Sequence, residues 1–276
     1  MRKDVFLPLL ALLGGGAGFA LRRWQMAAAY EEQTRLFRSG EPSTLALMAL
    51  LVVMAALFLV LTRGGLLPGS YAQAFYCPSS GYMVLMTAGG LLLFVAGVLG
   101  LLEGKEQLAL WQSGGSPALP VMLLLTAVLA LPAGFAALTL GKGNYQSVLA
   151  DNHPLLAALP AYALLPWIVS LYQDNSRQPE LMLFMFTLLA VIFAELGFYS
   201  AACFAFGQPR PKLCLTTSLM AVVLLLTSLA DKPSMFYAVM SLGCVLLLLA
   251  QSFALLRSVF GPYWPQAQTP EEQTEP

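Results

Sequence analysis

The sequence predicts an all-α polytopic transmembrane bundle of about eight spans, and three observations carry that expectation. Of 276 residues, 58% are hydrophobic and only 10% are charged, whereas soluble domains usually carry about 25% charged residues. Mean hydropathy is +0.74, too apolar to hide in one solvated core, since single cores stop growing at about 250–300 residues. Seven runs, at 44–62, 82–102, 118–140, 155–172, 181–207, 213–230 and 234–256, carry almost no formal charge, and each is close to or beyond the ~20 apolar residues that cross a bilayer. Barrel strands would alternate apolar and polar side chains, but 50–60 is one unbroken apolar block. Hydrocarbon tolerates only helices and closed barrels, because every backbone group must be satisfied internally. Helices follow.

An eighth apolar run, 5–21, is shorter and contains Gly14, Gly15, Gly16 and Gly18. It follows Arg2 and Lys3, so a cleaved signal peptide is one reading, with Gly18-Phe19-Ala20 as a small-x-small site. Arg22 and Arg23 directly after the run resist translocation and favour a retained first helix. The stretch 22–42 is long for a connector. Its Ala27–Tyr30, Leu36 and Phe37 among Arg and Glu suggest an interfacial amphipathic piece or a partner-binding loop. The spans form a domain over 1–261, and the acidic, Pro-containing 262–276 reads as a disordered tail.

Eight helices place both termini on one side of the membrane. Arg2, Lys3, Arg63, Lys142, Arg210, Lys212 and Arg257 would share that side, against Arg22, Arg23, Arg35, Arg38, Lys105, Arg177 and Lys232, so the positive-inside rule is level at seven each. The short, acid-free link Pro209-Arg210-Pro211-Lys212 leans the balance toward cytoplasmic termini. Trp24, Trp111, Trp167, Tyr82, Tyr145 and Tyr172 fall near span ends, where aromatic rings anchor at headgroup depth.

Glu195 is the most unusual residue. It stands 14 positions beyond Leu181, roughly 21 Å along a helix. An ionised carboxylate at that depth costs at least about 2.5–3.5 kcal/mol, so the group must be protonated or partnered. Tyr199 one turn on is in reach, as are Ser218, Thr216, Tyr162, Ser170 and Gln251 from other spans. A proton- or cation-coupling site is the functional reading, and a neutral acid gluing two helices by one hydrogen bond is the structural one.

Pro132 in one span, and Pro160 with Pro166 in the next, remove backbone donors and are expected to break their helices, as binding sites in transporters do. The link between those spans is polar, with Gly141-Lys142-Gly143-Asn144-Tyr145-Gln146 and then Asp151-Asn152-His153, so Asn144 and Asp151 join the candidate binding residues. Neither phosphate-loop pattern is met there, since Gln146 stands where G-x-G-x-x-G requires its last glycine. One histidine cannot build a multi-histidine metal site, and no cofactor motif is present. Cys77, Cys203, Cys214 and Cys244 lack the spacing of a disulfide or zinc framework. Net charge of +0 gives no basic face for nucleic acid. Gly14 with Gly18, Ala96 with Gly100, and Gly197 with Ala201 predict close helix packing.

Two segments, Gly14-Gly15-Gly16-Ala17-Gly18-Phe19-Ala20-Leu21-Arg22-Arg23-Trp24-Gln25 and Phe204-Ala205-Phe206-Gly207 with Arg210-Pro211, resemble uncharacterised bacterial multi-pass membrane proteins. The resemblance implies a multi-pass fold and brings no activity. Three functions stay open on the residues alone. The first is a transporter-like protein binding a small molecule or ion at Glu195, Tyr199 and Tyr162. The second is a non-catalytic subunit or sensor that works through a membrane-protein partner or a second copy of itself. An intramembrane enzyme is the least supported, since no nucleophile–base or metal cluster is visible.

Overall fold

A computed structural model of the chain describes residues 3–31, 36–38, 40–64, 71–112, 118–146, 154–175 and 181–261. The expected tail at 262–276 and the candidate Asp151 lie outside the described residues. In chain order the elements are α1 (Lys3–Ala28), an antiparallel pair of two-residue strands β1 (Tyr30–Glu31) and β2 (Leu36–Phe37), α2 (Pro42–Leu61), α3 (Tyr71–Phe75), α4 (Ser80–Gln112), α5 (Ala118–Gln146), α6 (Pro154–Asn175), α7 (Leu181–Ala205), α8 (Pro211–Ser228), a 3-10 turn (Leu229–Asp231) and α9 (Met235–Phe260). Among the described residues, all the α-helices except α3 are long and apolar enough to cross a membrane, which makes eight spans.

Several helices outrun the apolar runs that announce them. Hydropathy marks where a helix enters hydrocarbon, not where its hydrogen bonding stops. With 33 residues, α4 is ~50 Å long at 1.5 Å per residue, well beyond the ~30 Å hydrocarbon layer. It therefore carries Glu103, Lys105 and Glu106 past the apolar zone as helix. The polar 141–146 stretch, expected as a link, is the last turn and a half of α5. In the 22–42 segment, α1 continues as far as Ala28, and the short strand pair occupies part of the rest. Pro42 and Pro211 open α2 and α8 at the first turn, where a missing N–H costs nothing.

The helices α8 and α9 form the centre. In each, 78% of the most apolar 18-residue stretch is buried, against 22% for α2. On one side of this hairpin, α1 packs on α8, with α2 outside it; on the other, α4, α5, α6 and α7 make an arc that starts on α9 and returns to α8. Small residues set the spacing. A Cβ built on Gly90 of α4 would lie 3.1 Å from the Gly134 carbonyl oxygen of α5, and one on Gly134 only 2.8 Å from that of Gly90. Gly14 and Gly18 admit Met54 of α2 and Thr227 of α8, Gly100 meets Ala127 and Phe236, and Gly197 meets Ser218. In lipid, where tails are as apolar as leucine, such van der Waals fit is a principal force between helices.

The two ends of the described chain meet. The Lys3 ammonium lies 4.2 Å from the Phe260 ring centroid and donates to the Leu61 carbonyl at 3.1 Å. That end of the bundle is the terminal face. The short α3 is tucked beneath it. Phe75 meets Phe204 of α7 edge-on at 5.4 Å, and Ser258 of α9 donates to the Ala74 carbonyl at 2.7 Å.

The prolines do not break their helices as expected. Helix α5 runs through Pro132, and α6 through both Pro160 and Pro166. Each costs one i→i−4 bond, freeing the carbonyls of Val128, Leu156 and Tyr162, and membrane helices tolerate that loss where neighbours re-satisfy the freed groups. The aromatic belt is also partial. Trp24, Tyr145 and Tyr172 are exposed, but Tyr82 and Trp167 are buried, the latter stacked on Tyr237 at 5.2 Å.

Candidate functional site

Burial along α7 alternates with the helical period and fixes where Glu195 can point. Ala194, Gly197, Phe198 and Ala201 are buried, with Gly197 against Ser218 of α8 and Leu248 of α9. Glu195 and Tyr199, one turn apart, therefore fall on the flank turned toward α6. There the α6 surface offers Ala158 and Ala161, too small to fill the gap. The result is a cleft of about 430 Å³ bounded by α6, α7 and the α7–α8 link. Tyr162 and Leu165 form the α6 wall, Glu195, Tyr199, Ser200 and Cys203 the α7 wall, and Phe206, Gln208 and Arg210 the end nearest the terminal face.

The sharp turn that closes α7 shapes that end. Gly207 has φ of +71°. Its N–H donates to the Phe204 carbonyl at 3.2 Å, and that of Gln208 donates to the Cys203 carbonyl at 2.8 Å. This paired pattern satisfies the last carbonyls of a helix and needs a left-handed residue that glycine supplies without strain. The chain then reverses through Arg210 into α8.

Glu195 stands at the middle of the span Phe184–Ala205, half-buried. Among the described residues its carboxyl has neither hydrogen-bond partner nor cation. Of the partners the sequence offers, Tyr162 and Tyr199 share its cleft, and both are more than half exposed. The rest are engaged elsewhere or lie outside the cleft lining. Ser170 pairs with the Tyr237 hydroxyl at 3.3 Å, and Thr216 donates to the Lys212 carbonyl at 2.8 Å. Ser218 and Gln251 are buried nearer the central helices. Pro166 belongs to the cleft indirectly, since it leaves the Tyr162 carbonyl without its helical donor. Pro160 is buried on the same helix, and Pro132 is exposed on α5, apart from the cleft lining.

Asn144 stands in the last turn of α5, not in a loop. It is 4% exposed; its amide donates to the Tyr82 hydroxyl at 2.9 Å, and its carbonyl accepts from the Cys77 N–H at 3.1 Å. It clips the α3–α4 link to the end of α5. Burial pushes the Tyr71 phenol up to about 12, against a smaller opposing effect of its bond to Asn144. Burial likewise pushes the Cys77 thiol up to about 11, which the nearby Arg257 only partly offsets. Both groups stay neutral at physiological pH. Among the described residues no group of three His, Cys, Asp or Glu could hold a metal ion.

The sequence reading misses one polar node. Arg22, expected as the first residue of a loop, is helical, 0% exposed, and paired through Nε with Asp231 at 2.7 Å. Its Nη1 donates to Gln25 at 2.7 Å, and the Gln25 amide donates to Thr44 at 2.9 Å. The guanidinium also lies 4.5 Å from the Phe186 ring centroid, a favourable cation–π placement. This chain of contacts ties α1, α2, α7 and the end of α8 at the face opposite the termini. The available signal was Arg22 and Gln25 one turn apart, with Asp231 directly after the 213–230 run.

Comparison of the chain with protein-family models, with curated protein sequences and with solved structures returned no match in any of the three.

Proposed function

We propose that this integral membrane protein is transporter-like and binds a small molecule or ion in the cleft between α6 and α7, with Glu195 as the coupling group and Tyr162 and Tyr199 as its neighbours. One observation carries the reading: a carboxyl at mid-span borders a cleft of about 430 Å³ and has no protein partner among the described residues. Pockets that bind small molecules run from about 300 to 1,000 Å³, mostly apolar with few polar groups, and this cleft fits that description. A carboxylic acid serving only as packing glue would be capped by a hydrogen bond from a neighbouring helix; none is made among the described residues. The test is proton movement in proteoliposomes holding a pH-sensitive dye under an imposed gradient. Flux should fall at least about tenfold in Glu195→Gln, corresponding to about 1.4 kcal/mol. Equal flux in both forms, or none in either, removes the coupling role.

The same reading places both termini in the cytoplasm of a bacterial cell. The short, acid-free link Pro209-Arg210-Pro211-Lys212 lies on the terminal face, and Arg22, one of the cations set against it, is buried within the bundle in an ion pair with Asp231. Cytoplasmic loops carry the excess of Lys and Arg. A C-terminal fluorescent-protein fusion should glow and a C-terminal alkaline phosphatase fusion should be inactive. The reverse pair of results inverts the topology.

A further inference from the structure

The cleft has a chemical asymmetry that narrows what it would hold, if the binding reading above stands. Its walls at mid-span are alanine, leucine and two tyrosines around one carboxyl. Tyr162, Leu165 and Tyr199 are all exposed, and at this depth an exposed side chain faces hydrocarbon, so the cleft is open to the membrane itself. An occupant arriving by that route must be apolar over most of its surface. The group it leaves beside Glu195 must be one that a carboxylate in hydrocarbon favours. Two tyrosine rings in the same walls add quadrupole attraction for a positive charge.

We propose that the Glu195 cleft is a site for a lipophilic organic cation, paired with the Glu195 carboxylate and flanked by Tyr162 and Tyr199. Arg210 does not oppose this. It lies past the end of α7, ten residues beyond Glu195 at Ala205, or about 15 Å of helix rise, in an exposed link where ions screen charge within about 8–10 Å. The carboxylate meets the cation at contact distance in an apolar setting, where attraction is many times stronger. An anionic amphiphile fits poorly, since seating its head at Arg210 would lay its tail across the carboxyl. The other titratable groups near the cation are Tyr162 on α6, Tyr199 and Cys203 on α7, and the buried Cys214 on α8; Arg210 in the link is the only other formal charge in the lining. A proton and the cation then compete for Glu195, and binding should weaken as pH falls.

The experiment is calorimetric titration of the purified full chain with tetraphenylphosphonium, using tetraphenylborate as the probe of like shape and opposite charge. One saturable site is expected for the cation. Glu195→Gln should weaken it at least about tenfold and abolish its pH dependence, Glu195→Asp should retain it within about threefold, and Tyr199→Leu should lose about threefold. Cys203 supplies a readout of an intact cleft. It borders the cleft, while Cys77, Cys214 and Cys244 are buried, so N-ethylmaleimide should label Cys203 first in every variant, and the cation should protect it only where Glu195 or Asp is present. Equal affinity in wild type and Glu195→Gln, or equal losses in the Gln and Asp variants, overturns the proposal. So does tetraphenylborate binding that depends on Arg210 in place of the cation. Glu195-dependent proton flux without cation binding would overturn the ligand class and leave the transport reading standing. Cation binding without flux would do the reverse.

Discussion

Replacing Arg22 with methionine is expected to destabilise the bundle by about 3–5 kcal/mol, the usual effect of removing one member of a buried ion pair and stranding the other. The side chain is 0% exposed and Asp231 only 10% exposed, so the orphaned carboxylate could not recover full hydration without opening the end of α8. The loss spreads further, because Gln25 loses the donor to its side-chain oxygen and Phe186 loses its cation. The double variant Arg22→Met with Asp231→Leu should recover most of the stability, since a well-packed apolar pair is often neutral or stabilising in such places. Equilibrium unfolding in mixed micelles, followed by helical circular dichroism, measures both. A single variant no less stable than the double would show that the pair is not energetically coupled. The cation binding proposed for the cleft should be unaffected at temperatures where the single variant stays folded, because the node lies at the face opposite the Gln208 and Arg210 end of the cleft.

Gly134→Val is expected to be the second most damaging change, at about 3 kcal/mol or more. A Cβ there would stand 2.8 Å from the Gly90 carbonyl oxygen and 2.9 Å from the Phe94 ring. The first neighbour is backbone and cannot rotate aside, so α4 and α5 must separate. Overpacking alone costs about 1–3 kcal/mol, and separation adds lost dispersion along a tightly packed helix pair. Gly16 is the control. A Cβ at that position meets nothing within 4 Å, so Gly16→Ala should be neutral, or stabilising by up to about 1 kcal/mol through helix propensity. The same unfolding measurement compares them. Equal effects at the two glycines would show that close approach of α4 and α5 does not matter to stability.

How much of this was legible beforehand depends on the physical signal each feature leaves. Glu195 announced itself because one carboxyl in 27 apolar-run residues, 181–207, is conspicuous. Its neighbours did not. Six candidate partners were equally plausible by type, and only Tyr162 and Tyr199 share its cleft. Asn144 looked like a loop residue because a Gly-Lys-Gly stretch suggests a turn, whereas α5 continues through it. Arg22 looked like a loop residue for a similar reason: it ends an apolar run, and nothing local reveals that Asp231, 209 residues later, waits beside it.

Composition and run length alone pointed to lipid as the solvent, to helices as what spans it, and to about eight of them. These are sums over local segments, and hydrocarbon depth enforces them one helix at a time. Tertiary structure decided which face of each helix meets which neighbour: the α8–α9 centre, the Gly90–Gly134 approach, the Arg22–Asp231 pair and the cleft at Glu195. Inside these spans both lipid-facing and buried faces are apolar, so hydrophobic periodicity falls silent. Rotation of each helix about its axis is then fixed by side-chain fit between helices, information that no single segment contains.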